Sequence, residues 1–328
     1  LIYTRLGRDG PQVSAVGLGF WEVGSRTWRG SPEVAEAIVR AAHEEGINFF
    51  DTAEVYGMGR SEEALGEAVR RLGIREHVVV ASKVGGFRPT PYFILKGAEG
   101  VRRRLGFAPA LLQLHWPPPA WIPLCQPLRG LERAVKAGLA EYVGLSNFSG
   151  RLLEEALYCF SSLEPVSDQV EYSLAYRTPE LDVAKVARAK GIGIIAYSPL
   201  AKGALAGVTA SRAVQRVDPR FKAAASDREL MDALKGVAGR LGATTAQVSL
   251  AWLISKGAVP IPGTTKPDRA RELAGSADVK LSPEDVELLD RASSKFVTAW
   301  GREYGNLRSI RYVPCALQYL GLRAMGGA

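Results

Sequence analysis

Four polar residues stand at equal intervals of 32 along the chain: Asp51, Lys83, His115 and Asn147. Tyr56 follows the first of them by five positions. A carboxylate, an ammonium, an imidazole and a phenol gathered in one place could move a proton. A free phenol titrates near about 10, too high for ready exchange at neutral pH. A neighbouring ammonium favours the phenolate and lowers that value. Lys83, held by an ion pair with Asp51, is therefore expected to make Tyr56 a usable general acid toward a carbonyl oxygen, or a base toward an alcohol. His115, neutral, would donate a hydrogen bond to the same oxygen and fix it. Each residue alone has a blander reading. An Asp–Lys pair is often only an ion pair, a tyrosine after a strand usually packs, and a histidine in an apolar run is more often a satisfied core residue. Their joint placement on the ends of adjacent apolar runs favours chemistry. The other histidines, His43 and His77, fall in a helical stretch and in a loop before a run, and are read as structural.

An interval of this size is what one strand, one helix and two loops require. The apolar runs are Val16–Leu18, Ile47–Phe50, Val78–Ala81, Leu111–Leu114, Tyr142–Leu145, Ser167–Val170, Gly193–Ala196 and Val259–Ile261, eight in all. Amphipathic stretches separate them: Pro32–Glu45 behind Ser31 as N-cap, Ser61–Leu72, Leu131–Ala137, Leu152–Cys159, Leu181–Lys190, Asp227–Leu241 and Ala246–Lys256. Eight strands alternating with helices predict an α/β protein with a (β/α)8 TIM barrel, whose strand C-termini converge on one mouth. Tyr3–Leu6 and Val13–Val16 flank a cluster of turn formers and predict an N-terminal β-hairpin. Extra helices are expected near the C-terminus, one of them opened by Ser282-Pro283-Glu284. The segment Gly203–Ala213 reads as a loop over the mouth, and the tail from Trp300 onward shows no clear period.

The 328 residues are expected to form one domain, 1–328, since barrels of this length are ordinary single units. Hydrophobic residues at 47% and charged residues at 23% exclude disorder as the main state. The net charge of +8 is spread along the chain; its densest run, Arg102–Arg104, reads as a solvated helix face. No nucleic-acid motif accompanies that charge, so nucleic acid is not expected as a partner. No uninterrupted apolar run is long enough for a membrane span, and no secretory-type apolar segment opens the sequence. Cys125, Cys159 and Cys315 form no disulfide or metal pattern, which fits a reducing cytoplasm and no metal site.

Four segments carry a resemblance: Asp51-Thr52-Ala53-Glu54-Val55-Tyr56-Gly57, Ser82-Lys83-Val84-Gly85, Leu114-His115-Trp116-Pro117 and Gly144-Leu145-Ser146-Asn147-Phe148. In order and spacing they resemble the aldo-keto reductase superfamily, with similarity from about Leu6 to Ala292. The resemblance implies an oxidoreductase that binds NADP(H) and acts on a small carbonyl or alcohol substrate. It implies Tyr56 as proton donor, tuned by Lys83 and Asp51, with His115 orienting the carbonyl. Ser146, Asn147 and Gln169 match positions that hold the nicotinamide carboxamide, and Tyr197 matches the aromatic that stacks on the ring. Gly19, Phe20, Trp21, Asp51, Ser198, Pro199, Leu200 and Gly203 fall among further cofactor contacts. The stretch Ile261, Gly263, Thr264, Thr265, Lys266, Arg269 and Glu272 resembles the grip on the adenosine phosphate. From its residues alone it is a strand end, a small-residue turn and a helix start, already suited to an anion. Leu273 departs from the family, which usually places an adenine-contacting asparagine there. For substrate, Trp21, Tyr56, His115 and Trp116 are expected to line an aromatic cleft, with Trp28 and Trp121 as outer candidates. Potassium-channel β-subunits resemble the same family, so a cofactor-sensing regulatory protein is the alternative.

Overall fold

The eight apolar runs become eight parallel strands in the computed structural model, which describes residues 2–24, 31–208, 215, 218–300 and 309–324. A hairpin, β1 (Tyr3–Arg5) and β2 (Gln12–Ser14), precedes them. The barrel strands are β3 (Leu18–Gly19), β4 (Phe49–Asp51), β5 (Val79–Val84), β6 (Leu111–Leu114), β7 (Tyr142–Ser146), β8 (Ser167–Glu171), β9 (Gly193–Tyr197) and β10 (Ala258–Pro260). Each pairs in parallel with the next in chain order. The seam between first and last is closed by a bridge from Gly19 to Gly263, with Gly17 N donating to Pro260 O and Gly19 N to Pro262 O, both at 2.9 Å. A Cβ on Gly19 would lie 3.0 Å from Ile261 O, a tight contact, so glycine suits the close approach at the seam. The fold is a (β/α)8 barrel.

The helices are α1 (Pro32–Glu44), α2 (Arg60–Leu72), α3 (Pro91–Leu105), α4 (Cys125–Lys136), α5 (Gly150–Leu157), α6 (Val183–Lys190), α7 (Pro219–Ser226), α8 (Arg228–Leu241), α9 (Thr245–Ser255), α10 (Pro267–Ala274), α11 (Pro283–Ala292) and α12 (Cys315–Ala324). Thr244 with Gln247 and Ser282 with Asp285 form capping boxes that open α9 and α11. Ser31 occupies the N-cap of α1 without a side-chain cap bond, and Pro32 starts that helix. None of these helices is long and apolar enough to cross a membrane.

Strand alternation sorts the core into two layers. Phe50, Val80, Leu112 and Ile194 point out against the helices. Phe49, Ala81, Leu111, Ile195 and Val259 point in and meet Leu6 and Val13 of the hairpin segment, which plugs the lower end of the barrel.

Two expectations are corrected here. Arg104 does not sit on a solvated face: its guanidinium pairs with the fully buried Glu62, which also accepts from Ser82. Only Arg102 and Arg103 face solvent, because α3 turns its third arginine toward α2. Cys125 and Cys159, read as unpaired, are joined by a disulfide. Packing brings the start of α4 and the end of the α5 segment to a Cα–Cα distance of 4.8 Å, across 34 residues that show no recognisable motif. Cys315 is free. Thiol titration of the unfolded, unreduced protein is therefore expected to count one thiol. Reduction should lower stability by about 3–4 kcal/mol, the chain-entropy value for a loop of this size. Three titrating thiols would rule the bond out.

Candidate active site

Because Phe49, Ala81 and Leu111 point into the barrel, the residues two positions on do so as well, one layer nearer the mouth. These are Asp51, Lys83 and Gln113, and Gln169 joins them from β8. One Asp51 oxygen pairs with Lys83 Nζ; the other accepts from Gln113 Nε2 at 3.1 Å and Gln169 Nε2 at 2.9 Å. Lys83 Nζ also donates to Thr52 O at 2.9 Å and to Tyr56 Oη at 3.2 Å. The wholly buried ammonium thus has an acceptor for each of its three protons.

Tyr56 is placed by a short turn over residues 56–59, in which Gly57, Met58 and Gly59 all take positive φ. A Cβ on Gly57 would fall 1.9 Å from Gly24 O, so this turn tolerates no other residue there. His115 leaves β6 with its backbone N donating to Val84 O at 2.8 Å. Its ring meets Tyr56 edge to face at 5.6 Å between centroids and lies 4.8 Å from Trp116. The four chemical candidates are together.

Burial sets the titration. Loss of solvent raises the Tyr56 phenol above its ordinary value; Lys83 opposes the rise and Asp51 adds to it. The expected depression of this pKa is thus corrected: desolvation outweighs the single cation. Burial works against the Lys83 ammonium too, but Asp51 and Tyr56, by charge and hydrogen bond, hold it above the ordinary lysine value. Burial, then Lys83, pushes His115 well below the usual histidine range, so its ring is neutral. Its buried Nδ1 has no hydrogen-bond partner in the protein.

The remaining candidates surround this centre. Asn147, at φ +63°, donates to His115 O (2.9 Å) and Ser146 Oγ (3.0 Å), and accepts from Tyr197 Oη (2.9 Å). Ser146 Oγ donates to Gln169 O at 2.9 Å. Ser198 has positive φ and leads through the buried Pro199 and Leu200 to Gly203 at φ +99°. Phe20 N donates to Asp51 O at 2.8 Å, but its side chain is buried against Phe50, so only its backbone is left for a ligand. Trp21 is exposed. Ile261 is buried in the inner core, and Gly263 is exposed at the seam. Thr264 Oγ1 accepts from Lys266 N at 3.1 Å, just before α10; Thr265 is half-buried and Lys266 exposed. Arg269 pairs with Glu272, whose other oxygen accepts from Thr244 Oγ1 at 2.8 Å. Leu273 is wholly buried, which removes its side chain from any ligand. Trp121 is exposed; Trp28 and residues 209–213 of the Gly203–Ala213 segment lie outside the described residues.

Three contributors escaped the sequence reading. Gln113 is a polar residue inside an apolar strand, two before His115, and that parity was its signal. Glu54 accepts from Gly85 N at 2.7 Å and from Arg88 Nε and Nη2 at 2.9 and 2.7 Å, fastening the Tyr56 segment to the end of β5. The tail, without readable period, supplies α12, whose Gln318 and Leu322 close over Trp116 and Phe87.

The arrangement has relatives. The model of the "Aldo/keto reductase family" matches residues 15–294. An uncharacterised oxidoreductase of Mycobacterium tuberculosis is 36% identical over 300 residues, covering 87% of this chain and 91% of its own. A thermostable aldo-keto reductase crystallised with the inhibitor epalrestat superposes with a TM-score of 0.77 at 32% identity, over 89% of this chain and all of its own. An aldo-keto reductase from Klebsiella pneumoniae, solved with NADPH, gives a TM-score of 0.73 at 28% identity over 89% and 95%. With that model spanning all eight barrel strands, the chain belongs to the aldo/keto reductase family.

Proposed function

We propose that this chain reduces an aldehyde or ketone to an alcohol, or runs the reverse, using NADP(H), with Tyr56 as general acid/base. The observation that carries the proposal is a phenol oxygen 3.2 Å from a buried ammonium, on a ring that meets the neutral His115 imidazole edge to face at 5.6 Å. Tyr56 Oη delivers its proton to the carbonyl oxygen as that oxygen gains the electron pair of the C=O bond. Lys83 balances the negative charge left on the Tyr56 phenolate, and His115 fixes the substrate oxygen with a hydrogen bond. A phenol kept protonated by burial suits carbonyl reduction more than alcohol oxidation. Exposed Trp21 would supply apolar surface for the substrate, whereas Trp116, expected to line the same cleft, is 2% exposed and packs behind His115 instead.

The residues fit the cofactor. Exposed Gly263 keeps the seam bare, where a Cβ would sit 3.4 Å from Gly19 O. When bound, the nicotinamide supplies the hydride that reaches the carbonyl carbon. Ser146, Asn147 and Gln169 would hold its carboxamide and Tyr197 its ring face. Gly19, the Phe20 backbone, Trp21, Ser198, Pro199, Leu200 and Gly203 would flank it. Thr264, Thr265, Lys266 and Arg269 at the start of α10 would hold the 2′-phosphate, with Glu272 setting the Arg269 fork.

Replacing Lys266 and Arg269 together by alanine should raise KM for NADPH about 10- to 100-fold, the factor carried by ~1.5–3 kcal/mol of charged hydrogen bonding. KM for NADH should stay nearly constant. Steady-state rates at 340 nm with a panel of aldehydes test both statements. An NADPH KM unmoved by the double substitution would refute the phosphate grip, and no turnover with any carbonyl would refute the reaction.

A further inference from the structure

We infer that Gln318, on the C-terminal helix, is a positioning residue for the reaction: it fixes the Trp116 indole and, through it, the ring of His115. The inference rests on the proposed carbonyl chemistry and concerns how the imidazole is held for it.

Gln318 is buried, and its amide has three partners. Its Oε1 accepts from Trp116 Nε1 at 3.0 Å, and its Nε2 donates to Ile310 O and Val313 O, both at 2.8 Å. Two carbonyls require the nitrogen on their side, so the oxygen must face the indole N–H; a flipped amide would oppose donor to donor and acceptor to acceptor. A glutamate there would repel both carbonyls, and a hydrocarbon would strip the buried indole N–H and Val313 O of this partner, while Ile310 O would keep its bond from Val313 N.

His115 needs this support because its own hydrogen bonding does not supply it. A functional imidazole is commonly oriented by a bond to the nitrogen away from its target. Here Nδ1 is buried without a partner. The ring is held by ring contacts instead: Tyr56 meets it edge to face at 5.6 Å and 81°, and Trp116 packs on it at 4.8 Å with a tilt of 46°. Trp116 is itself 2% exposed and packs on Phe87 at 6.0 Å, and the ring of Tyr319, next to Gln318, packs on Phe87 at 5.5 Å. The indole N–H bond to Gln318 sets the rotation of this stack, and the stack sets the imidazole.

The test separates positioning from a mere pocket wall. In Gln318→Leu, kcat for a small aliphatic aldehyde, too short to reach α12, should fall about 10- to 100-fold, as for a misplaced reacting group. KM for that aldehyde and the Kd for NADPH, read by fluorescence quenching, should hold. A helix serving only as a wall would raise KM for bulky aromatic carbonyls and leave kcat for the small one intact; that result overturns the inference. Trp116→Phe keeps a ring against His115, removes the N–H and leaves the sequence of α12 unchanged, so it tests the same bond should Gln318→Leu fold poorly. It should reproduce the kcat loss, and adding Gln318→Leu to it should cost less than about 2-fold more. Full kcat in Trp116→Phe, or multiplied losses in the double variant, overturns the inference. An active parent with an unaffected Gln318→Leu removes this inference alone, whereas an inactive parent removes the reaction and this inference together.

Discussion

Tyr56→Phe will lower kcat for carbonyl reduction by about 10²- to 10⁴-fold, the span a positioned general acid contributes. NADPH binding should survive, because the substitution removes one oxygen and leaves the ring that packs edge-to-face on His115. Lys83 loses one of three acceptors and keeps Asp51 and Thr52 O, so the buried pair persists. The pH dependence of the parent enzyme follows from the same burial. The phenol is held above its ordinary value, so the reduction rate should be flat to about pH 9 and fall only as the phenol ionises beyond about 10. At the acid end His115 lies well below the usual histidine range, so no limb should appear near 6.5. Linkage gives the matching signs for stability. The unfolded histidine takes up its proton first, so stability falls as pH drops below about 6.5. The unfolded tyrosine loses its proton first, so stability falls as pH rises above about 10. Stopped-flow reduction across this range measures the profile, and a fully active Tyr56→Phe would end the proton-donor assignment.

How much of this could be read from the residues depends on whether a signal was local. Strand existence was local: short apolar runs alternating with amphipathic stretches gave eight strands, and the 32-residue interval put Asp51, Lys83 and His115 at consecutive strand ends. Boundaries slipped where residues serve the mouth. β5 runs on to Val84 and β8 to Glu171, because backbone pairing continues past the apolar stretch into the polar layer. Most of α3 was not read as a helix; Gly97 and Gly100 weaken its propensity, and packing against α2 and α4 overrides that weakness. Non-local facts were invisible. Nothing in the spacing of Cys125 and Cys159 shows that α4 and the end of the α5 segment meet. Nothing in the tail shows that Gln318 reaches Trp116 across 202 residues. The sign of the Tyr56 shift was misjudged for a related reason. Sequence names the charged neighbour, while the loss of solvent that outweighs it depends on everything packed around the ring.

The Asp51–Lys83 pair makes the second large prediction, because its two roles can be separated. Lys83→Met keeps the length of the side chain and removes its charge. It leaves Asp51 buried, with Gln113 and Gln169 as its side-chain donors and no cation. Breaking a buried pair from one side costs about 3–5 kcal/mol, since the surviving charge is uncompensated. Adding Asp51→Asn removes that charge; the amide oxygen can still accept from both glutamines, and most of the lost stability should return. Activity should not return with it. The phenolate formed when Tyr56 gives up its proton would have no ammonium 3.2 Å away, so kcat should stay at least about 100-fold down in both variants. The parent's alkaline behaviour agrees with this division. Lys83 is held above the ordinary lysine value, so the pair's contribution to folding is complete below about pH 10.5 and is lost only as pH rises through the lysine's own higher titration. Urea melts and single-turnover rates on the two variants read the roles apart. If the doubly substituted protein regains both fold and rate, Lys83 serves only to neutralise Asp51, and the phenol works without its cation.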